Sequence, residues 1–377
     1  MLGAAALALT AGAVGYCLLV LLAVRNYLRQ PRPAGQKFPP VSVLRPLAGA
    51  DEGLEENLRS YFRQDYPRFE ILAAVRSAED PARTVFQRVS AEYPGVPARL
   101  LVTGEPPYPN AKVFSLACML AEARYDLIVM ADSDTRIAPG TLRAMAAEFE
   151  DPRLGLATCP YRAVPGPSFW SRLEALGMNT DFLAGLLTVR LVEGVRFAVG
   201  PTIVARRQAL EAIGGVERLA EYLAEDFVMG RLVAEAGWRV ILSHNLIEHH
   251  IGSHRWRENF RHRLRWMRST RRSRPWGYAG QLFTYPLPLA LLSLLLCAKA
   301  WPLAAAALAG RVAVAWATGH KVLRDPLLRR SWFLLPVEDL LSFAFWLAGF
   351  FGKTITWRGR RYYLHGDGRF EPLPPRL

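Results

Sequence analysis

The stretch that decides the fold is LIVMADSD, residues 127–134. An apolar run, Leu127–Ala131, leads directly into the polar triplet Asp132-Ser133-Asp134. A short apolar run that ends in turn residues is typical of a strand buried on both faces of a parallel sheet. In open α/β sheets, ligands bind at the carboxyl ends of the strands. The stretch therefore predicts both a sheet and a functional site at its edge.

The flanking sequence repeats this alternation. Further β-rich runs lie at Val41–Leu44, Phe69–Val75 and Ala98–Val102. Segments with helical spacing of apolar residues separate them, at Leu54–Phe62, Pro81–Tyr93 and Ala111–Ala123. Strands that alternate with helices indicate a parallel sheet with crossover connections. We therefore predict an α/β fold.

Composition narrows the class of protein. The chain has 377 residues, of which 51% are hydrophobic and 21% charged, and this excludes wholesale disorder. Its four cysteines form no CxxC pair, so neither a zinc ribbon nor a disulfide scaffold is expected. The formal net charge of +14 indicates a polyanion, an anionic membrane or a phosphate-bearing substrate as a partner.

The N-terminus has the character of a membrane anchor. Residues 2–24 carry no charge, and as a helix they would be about 34 Å long, enough to cross a bilayer core. Arg25, Arg29, Arg32 and Lys37 come directly after this run, which favours an anchor over a cleavable signal and predicts a cytoplasmic location for the region attached to them. We assign residues 1–28 to the anchor and the Pro-rich residues 29–40 to a linker.

The C-terminal third is apolar again, over residues 278–352. Leu282–Ala298 and Ala300–Gly319 predict a helical hairpin. Trp332–Phe351 is a third apolar stretch, but it carries Glu338 and Asp339. A third crossing would place the basic tail, residues 353–377, outside, against the charge rule. The stretch either spans the membrane or lies in its interface.

Between these regions, residues 251–277 include a basic amphipathic helix. Residues 253–275 contain nine arginines and a single acid. One face carries arginines at helical spacing, namely Arg257, Arg261, Arg265, Arg268 and Arg272. An apolar stripe consists of Trp256, Phe260, Leu264 and Met267. This pattern predicts an interfacial helix on anionic lipid. The arginines serve either lipid contact alone or also the stabilisation of a departing diphosphate.

Carboxylates come after several predicted strands. Asp132 and Asp134 are spaced to share one Mg²⁺ or Mn²⁺ ion, unless the stretch is a turn in which Asp134 caps a helix. Glu79 and Asp80 precede Pro81, and either cap a helix or accept hydrogen bonds from a nucleotide base.

Two helix starts carry further candidates. Lys112 would lie at a helix N-terminus, where a cation is disfavoured unless it meets a phosphate; the alternative is a solvated lysine. Glu225 and Asp226 lie among apolar residues at another helix start. They are either caps or a candidate general base, because burial raises the pKa of a carboxyl group.

These motifs resemble family-2-type glycosyltransferases, and within them the ceramide glucosyltransferase branch, which includes bacterial hopanoid glycosyltransferases. The matching stretches are EDPA (79–82), NAK (110–112), DSDTR (132–136), LAEDFVMG (223–230), GWR (237–239) and RGRRYYL (358–364). The resemblance implies a Rossmann-like GT-A catalytic domain over residues 41–250, on the cytoplasmic side of a bacterial inner membrane.

The resemblance also implies roles for individual residues. Asp80, with Glu79 as the weaker alternative, Lys112 and Asp132 would bind a UDP-sugar donor, and Asp132 and Asp134 would bind the metal. Asp226 would be the catalytic base. Arg265 and Trp266 match the family's (Q/R)xxRW box, and would act in catalysis. The first position of the box is His262 here, which departs from the pattern.

The implied reaction is the inverting transfer of a hexose or N-acetylhexosamine from a UDP-sugar to a lipid hydroxyl. The acceptor would be a hopanoid polyol, with UDP-GlcNAc as donor, since residues 268–292 resemble that subgroup, or ceramide, with UDP-glucose. A processive polysaccharide synthase is an alternative, but few C-terminal segments are available to line a channel. A nucleic-acid binder is disfavoured because the arginine run adjoins a membrane hairpin, and no nucleic-acid partner is predicted. A scaffold would not need acids at three separate sites.

Overall fold

The computed structural model describes residues 1–33, 35–252 and 255–374. The chain divides into two compact units. The helical unit comprises Met1–Gln30, Pro165–Gly194 and the described part of Ser253–Arg361. The α/β unit comprises the described parts of Pro31–Val164, Val195–Gly252 and Tyr362–Leu377.

Strands and helices alternate over residues 41–131, and helices dominate from residue 256 to residue 349. The strands are β1 Val41–Pro46, β2 Phe69–Val75, β3 Ala98–Val102, β4 Leu127–Ala131, β5 Thr135–Arg136, β6 Leu154–Thr158, β7 Tyr161–Val164, β8 Thr202–Arg206, β9 Arg239–Leu242, β10 Ile247–His250, β11 Thr354–Trp357, β12 Arg360–Leu364 and β13 Phe370–Pro372. The helices are α1 Leu2–Leu28, α2 Leu54–Phe62, α3 Pro81–Ala91, α4 Ala111–Glu122, α5 Thr141–Glu148, α6 Phe169–Gly177, α7 Leu183–Val192, α8 Arg207–Ala212, α9 Glu225–Glu235, α10 Trp256–Ser273, α11 Pro275–Gly280, α12 Pro286–Leu296, α13 Trp301–Ala315, α14 Pro326–Ser331 and α15 Leu335–Gly349. Two π-helical segments, Met178–Phe182 and Trp316–Val322, continue α6 and α13.

The main sheet confirms the α/β prediction. Its strand order is β3-β2-β1-β4-β8-β6-β9. β1 is parallel to both of its neighbours, with Val41 opposite Phe69 on one side and Leu127 on the other. β2 and β4 are buried along their whole lengths, as expected for apolar strands covered on both faces. β8 interrupts the parallel order, because it runs antiparallel between β4 and β6.

A small sheet extends the polar edge of the α/β unit. β10 lies between β5 and β7, antiparallel to the first and parallel to the second. Its register places His249 opposite Thr135, one residue after Asp134. The central strand of this sheet therefore adds a histidine beside the DSD turn.

The helical unit contains the candidate membrane spans. Among the described residues, four helices are long and apolar enough to cross a membrane, namely Leu2–Leu28, Phe169–Val192, Ala298–Val322 and Pro326–Gly349. Pro275–Thr284 and Pro286–Leu296 would add a fifth if this pair, bent by 63°, is one span. α1 coincides with the predicted anchor, and α12 and α13 pack together as the predicted hairpin.

The span Phe169–Val192 differs from the sequence-based boundaries, which placed it inside a continuous catalytic segment, 41–250. Pro165–Gly194 instead clusters with the other apolar helices. Charged residues, among them Arg172, Glu174 and Asp181, interrupt its apolar run, so the segment lacks the uncharged length that marks α1. Glu174 is 3% exposed, and it accepts a hydrogen bond from Asn259.

Some arginines of the basic helix α10 contact protein, a role that the sequence did not indicate beside lipid contact and diphosphate stabilisation. Arg268 donates to the carbonyls of Phe351 (2.9 Å) and Thr354 (2.6 Å), and Arg272 to that of Gly352 (3.2 Å). These arginines therefore supply donors to backbone carbonyls between the end of α15 and the start of β11. The exposed part of the predicted face is its N-terminal half, beside Trp256, which is 53% exposed.

The predicted basic tail is folded. β12 and β13 pair antiparallel, with Leu364 opposite Phe370. The Phe370 N–H donates to the carbonyl of Glu221 (2.8 Å), and the Leu223 N–H donates to that of Gly368 (3.2 Å). These bonds support the segment that leads into α9.

Candidate active site

A cavity of the α/β unit lies where β4 ends and where α4 and α9 begin. Its charged lining, which we call the cavity cluster, consists of Lys112, Asp132, Glu225 and Asp226. Apolar walls are supplied by residues that include Met130, Ile203 and Met229. The sheet thus brings together acids that are separated by about ninety residues in the chain.

Lys112 is the centre of the cavity cluster. Its Nζ lies 2.7 Å from Asp132 Oδ1 and 2.9 Å from Glu225 Oε1. Burial lowers the pKa of Lys112, but the carboxylates of Asp132, Glu225 and Asp226 outweigh burial and raise the pKa above its ordinary value. The sequence left open a phosphate partner or a solvated lysine, and the structure places Lys112 between two carboxylates.

Asn110 fixes the helix start that presents Lys112. Its side-chain oxygen caps α4 by accepting a hydrogen bond from the Val113 N–H (3.2 Å). Its amide nitrogen donates to the carbonyl of Tyr222 (2.9 Å) and approaches Glu225 Oε2 (3.5 Å). One side chain therefore ties α4 to the segment that begins α9.

Asp226 lies in the first turn of α9, as the sequence predicted. Burial raises its pKa to about 7, and the neighbouring Glu225 carboxylate adds to this rise, while Lys112 opposes it. A Cβ added to Gly200 would lie only 2.9 Å from Asp226 Oδ2, so the carboxylate packs directly on this glycine. Asp226 has the environment expected of a general base that works near neutral pH.

Asp134 has different partners from Asp132. Its Oδ2 lies 3.1 Å from His249 Nε2. Burial raises the pKa of Asp134, but His249 and Arg45 outweigh it and lower the pKa to about 2. Its Oδ1 is buried, and no hydrogen-bond partner for it lies within the described residues.

Arg45 holds the DSD turn from beneath. It is fully buried and donates to Thr135 Oγ1 (2.9 Å) and to the carbonyl of Ser133 (3.3 Å). Thr135 Oγ1 in turn donates to the carbonyl of Asp132 (2.7 Å). The backbone between the two aspartates is therefore held by side-chain hydrogen bonds, and β5 follows Asp134 directly, so Asp134 does not cap a helix.

No group of three or more His, Cys, Asp and Glu side chains is arranged to hold a metal in residues 1–33, 35–252 and 255–374. A cation at the DSD turn would have two carboxylates as protein ligands and would complete its shell with ligand or water oxygens. Mg²⁺ and related ions bind nucleotide phosphates in this way. The partnerless Asp134 Oδ1 fits such a cation.

The first acidic motif lies outside the cavity lining. Asp80 caps α3, accepting hydrogen bonds from the N–H groups of Ala82 (2.9 Å) and Gly49 (2.9 Å). Glu79 is exposed and accepts a hydrogen bond from the Ser77 hydroxyl. Asp80 thus performs the capping role that the sequence left open beside base recognition.

Arg265 and Trp266 belong to the helical unit, on α10. The Arg265 guanidinium lies 5.9 Å from the ring centroid of Trp357. The Trp266 ring lies 5.1 Å from that of His262, whose Nδ1 is 2.6 Å from Glu174 Oε1. His262, the departure from the (Q/R)xxRW pattern, is thus linked to both Glu174 and Trp266.

Sequence reasoning missed Arg45, Asn110, Gly200 and His249. Asn110 had a detectable signal, since an Asn directly before a helical pattern is a typical cap. His249 and Gly200 had none, because their roles depend on contacts with residues distant in the chain.

Comparison with known proteins shows the family. The model of Glycosyl transferase family 21 matches residues 5–370. Ceramide glucosyltransferase 1 of Caenorhabditis elegans is 30% identical over 208 residues, which are 55% of this chain and 44% of that protein. The ceramide glucosyltransferase of Gibberella zeae is 30% identical over 165 residues, covering 39% of this chain and 31% of that protein. The chain therefore spans less than half the length of these curated relatives.

Among solved structures, the mannosyltransferase PcManGT from Pyrobaculum calidifontis, in complex with GDP-Man and Mn²⁺, is similar. The match has a TM-score of 0.56 at 21% identity and covers 92% of this chain and 99% of that one. This likeness confirms the predicted GT-A fold.

Proposed function

Because the chain belongs to glycosyl transferase family 21, we propose that it transfers a sugar from a UDP-sugar to the hydroxyl group of a membrane lipid. The observation that carries this proposal is the cavity cluster, in which three carboxylates and an ammonium meet at the end of β4. A nucleotide diphosphate needs cations at its phosphates, and an attacking hydroxyl needs a base. The cluster supplies candidates for both.

Asp226 is the proposed base. It accepts the proton of the acceptor hydroxyl as that oxygen forms a bond to the anomeric carbon. The bond from the anomeric carbon to the UDP oxygen breaks, and UDP leaves from the opposite face of the sugar. An α-linked donor thus gives a β-glycoside. The pKa of about 7 places Asp226 in the range where it is both available as a carboxylate and basic enough to act.

Asp132 and Asp134 would hold a divalent cation, Mg²⁺ or Mn²⁺. When bound, the cation neutralises charge on the diphosphate of the donor and its leaving group. Arg45 and Thr135 keep the turn that presents the two carboxylates in place. We expect Asp134→Ala, and to a lesser degree Asp132→Ala, to abolish turnover in a folded protein, and full activity in excess EDTA would contradict this role.

Arg265 and Trp266 are proposed to act at the leaving diphosphate and the acceptor, on the strength of the family motif. Asp80, Lys112 and Asp132 are proposed to bind the donor, with Glu79 as the alternative to Asp80.

The helical unit would hold the enzyme in the inner membrane of a bacterium. The α/β unit would lie on the cytoplasmic side, where UDP-sugars are made. A reporter fused after residue 245 that is active only in the periplasm would contradict this orientation.

The matched relatives are ceramide glucosyltransferases, and this supports ceramide as acceptor and UDP-glucose as donor. The alternative is a hopanoid acceptor with UDP-GlcNAc as donor, which is supported by the resemblance of residues 268–292 to that subgroup.

The purified full chain should be incubated with each UDP-sugar and with vesicles that contain either lipid, and the products should be identified by mass spectrometry. We expect a β-glycolipid from one combination of UDP-sugar and lipid, and no product from the Asp226→Asn variant. Absence of transfer to any lipid hydroxyl by an active donor-hydrolysing protein would refute the proposal.

A further inference from the structure

An ammonium group already lies against the carboxylate that is proposed to bind the metal. Lys112 Nζ is 2.7 Å from Asp132 Oδ1, within the distance of a charge-assisted hydrogen bond. The Asp132 side chain is 30% exposed and that of Lys112 is 20% exposed, so both are reachable from the cavity. A divalent cation at the DSD turn would therefore compete with this ammonium for Asp132.

Glu225 provides a second position for the ammonium. Its Oε1 lies 2.9 Å from Lys112 Nζ, and its side chain is only 8% exposed. Asn110 approaches its other oxygen, Oε2, from the start of α4. Glu225 is thus largely buried, whereas lysine is a compact charge on a flexible stem. Lys112 can leave Asp132 and keep one carboxylate partner.

We propose that Lys112 is the resident counter-cation of Asp132, and that it gives up this carboxylate when a divalent cation and a nucleotide diphosphate enter together. The ammonium then remains on Glu225 and donates to a phosphate oxygen. The inference rests on the proposed function for the identity of the diphosphate.

The charges explain why both ligands are needed. A divalent cation alone would have to displace the ammonium or bind beside it, and like charges at such distances repel strongly. The diphosphate brings negative charge that stabilises both cations. Cation and nucleotide should therefore bind with positive coupling, which thermodynamic linkage makes reciprocal.

The test is Lys112→Met in the full chain, purified in detergent, with Mn²⁺ binding measured by electron paramagnetic resonance. In the absence of nucleotide, Lys112→Met should bind Mn²⁺ about tenfold or more tightly than the wild type, because the competing cation is gone. With saturating Mn²⁺, the same variant should bind UDP about tenfold more weakly, because a phosphate partner is gone. A purely structural role for Lys112 would not move the two affinities in opposite directions.

Three variants serve as controls. Lys112→Arg keeps the charge, and should bind Mn²⁺ alone as the wild type does. Asp132→Asn, added to Lys112→Met, should remove the gain in affinity. Arg99→Met removes one positive charge from a pair with Glu70 and Glu122 outside the cavity lining, and should leave Mn²⁺ binding unchanged. Circular dichroism and thermal unfolding verify that each variant is folded.

The proposal is overturned if folded Lys112→Met binds Mn²⁺ alone with unchanged or lower affinity. It is also overturned if no variant binds Mn²⁺ even with UDP present. Sugar transfer itself is measured separately from the glycolipid product. A wild-type protein that makes the product but fails the Mn²⁺ test would retain the proposed function and lose only the role of Lys112.

Discussion

The two units of this protein hold buried charge in opposite ways. In the helical unit, the Nε of Arg311 lies 2.8 Å from each carboxylate oxygen of Asp339, and Arg263 Nη1 lies 3.0 Å from Glu338 Oε2. Each of these contacts joins a single guanidinium to a single carboxylate. In the cavity cluster of the α/β unit, one ammonium meets two carboxylates, and a third, Asp226, lines the same cavity.

This difference distinguishes a structural ion pair from a reactive site. A one-to-one pair is neutral, so removing either partner leaves the other as an isolated buried charge. Burial raises the pKa of Asp226, and the excess negative charge of the cavity cluster adds to this rise and attracts cations. Burial is common to both regions, and the balance of charge separates them. Substitutions in the ion pairs should therefore lower the free energy of unfolding, and substitutions in the cavity cluster should lower kcat.

The largest effect is expected from breaking a pair. Arg311→Leu leaves the Asp339 carboxylate buried without its guanidinium and should lower the free energy of unfolding by about 3–5 kcal/mol. The double variant Arg311→Leu/Asp339→Leu should recover much of that loss, because neither charge of the pair remains. Denaturant unfolding in detergent measures both. A single variant as stable as the wild type would show that the pair does not hold the helices together.

Replacing the base should affect activity and leave the fold intact. Asp226→Asn keeps the shape but cannot accept the proton, and should lower kcat by at least about 10²-fold, with UDP-sugar binding near that of the wild type. Glu225→Gln keeps the base and should lower kcat far less than Asp226→Asn does. If Asp226→Asn turns over normally while Glu225→Gln is inactive, the base is the other acid of the pair, and if both turn over normally the proposed mechanism is wrong.

A smaller effect is expected at Gly200. A Cβ at this position would lie 2.9 Å from Asp226 Oδ2 and 3.7 Å from Lys112 Nζ, so Gly200→Ala should displace the carboxylate. Small misplacement of a catalytic group is costly, and we expect kcat to fall by about tenfold. Gly95→Ala is the matched control, because a Cβ there meets nothing within 4 Å. Equal kcat values for the two variants would show that the packing on Asp226 does not position it.

The pH dependence should distinguish activity from stability in the same residue. Since the Asp226 pKa is about 7, kcat should fall about tenfold for each unit that the pH drops below this value. In the unfolded chain, the pKa of Asp226 is about 4. Between about pH 4 and 7, the folded protein therefore binds one more proton than the unfolded chain does. The contribution of Asp226 to the free energy of unfolding falls as the pH rises through this window. Glu225→Gln removes a neighbouring negative charge and should move the acidic limb of the rate profile to lower pH. An unmoved limb would contradict the assignment.

The smallest effect should be at Asp80, outside the cavity lining. Asp80→Ala removes the cap of α3 and should cost about 1 kcal/mol of stability, whereas Asp80→Asn should preserve the cap. If Asp80 also recognises the nucleotide base, KM for the donor rises in both variants. If KM for the donor rises in neither variant, Asp80 serves only as the cap of α3.

Much of the sheet was predictable because its strands carry local signals. Phe69–Val75, Ala98–Val102 and Leu127–Ala131 begin and end as predicted from apolar runs and turn residues. The acids at strand ends and helix starts were predictable for the same reason. Pairings between distant residues were not, such as that of Lys112 with Glu225 or of Asp134 with His249, since they depend on the order of strands in space.

The helical unit was harder to predict from the sequence. α1 is uncharged over most of its length, so hydropathy alone identified it. Phe169–Val192 carries acids and arginines, such as Glu174, that only the packed structure shows to be buried and hydrogen-bonded. The sequence left lipid contact and diphosphate stabilisation as roles for the arginines of α10. No local pattern reveals that two of them donate to carbonyls at Phe351 and Gly352, distant in the chain.

The candidate span Phe169–Val192 comes before β8 in the chain, and this order affects how the main sheet forms during synthesis. β4 and β6 leave the exit tunnel first, then Phe169–Val192, and only afterwards β8, which lies between β4 and β6 in the finished sheet. Until β8 is synthesised, both of those strands present open edges, and open edges invite pairing with other chains. The candidate span Phe169–Val192 is thus synthesised in the interval when the nascent sheet is incomplete. A pause in translation after residue 194 would prolong that interval and expose the nascent chain to aggregation.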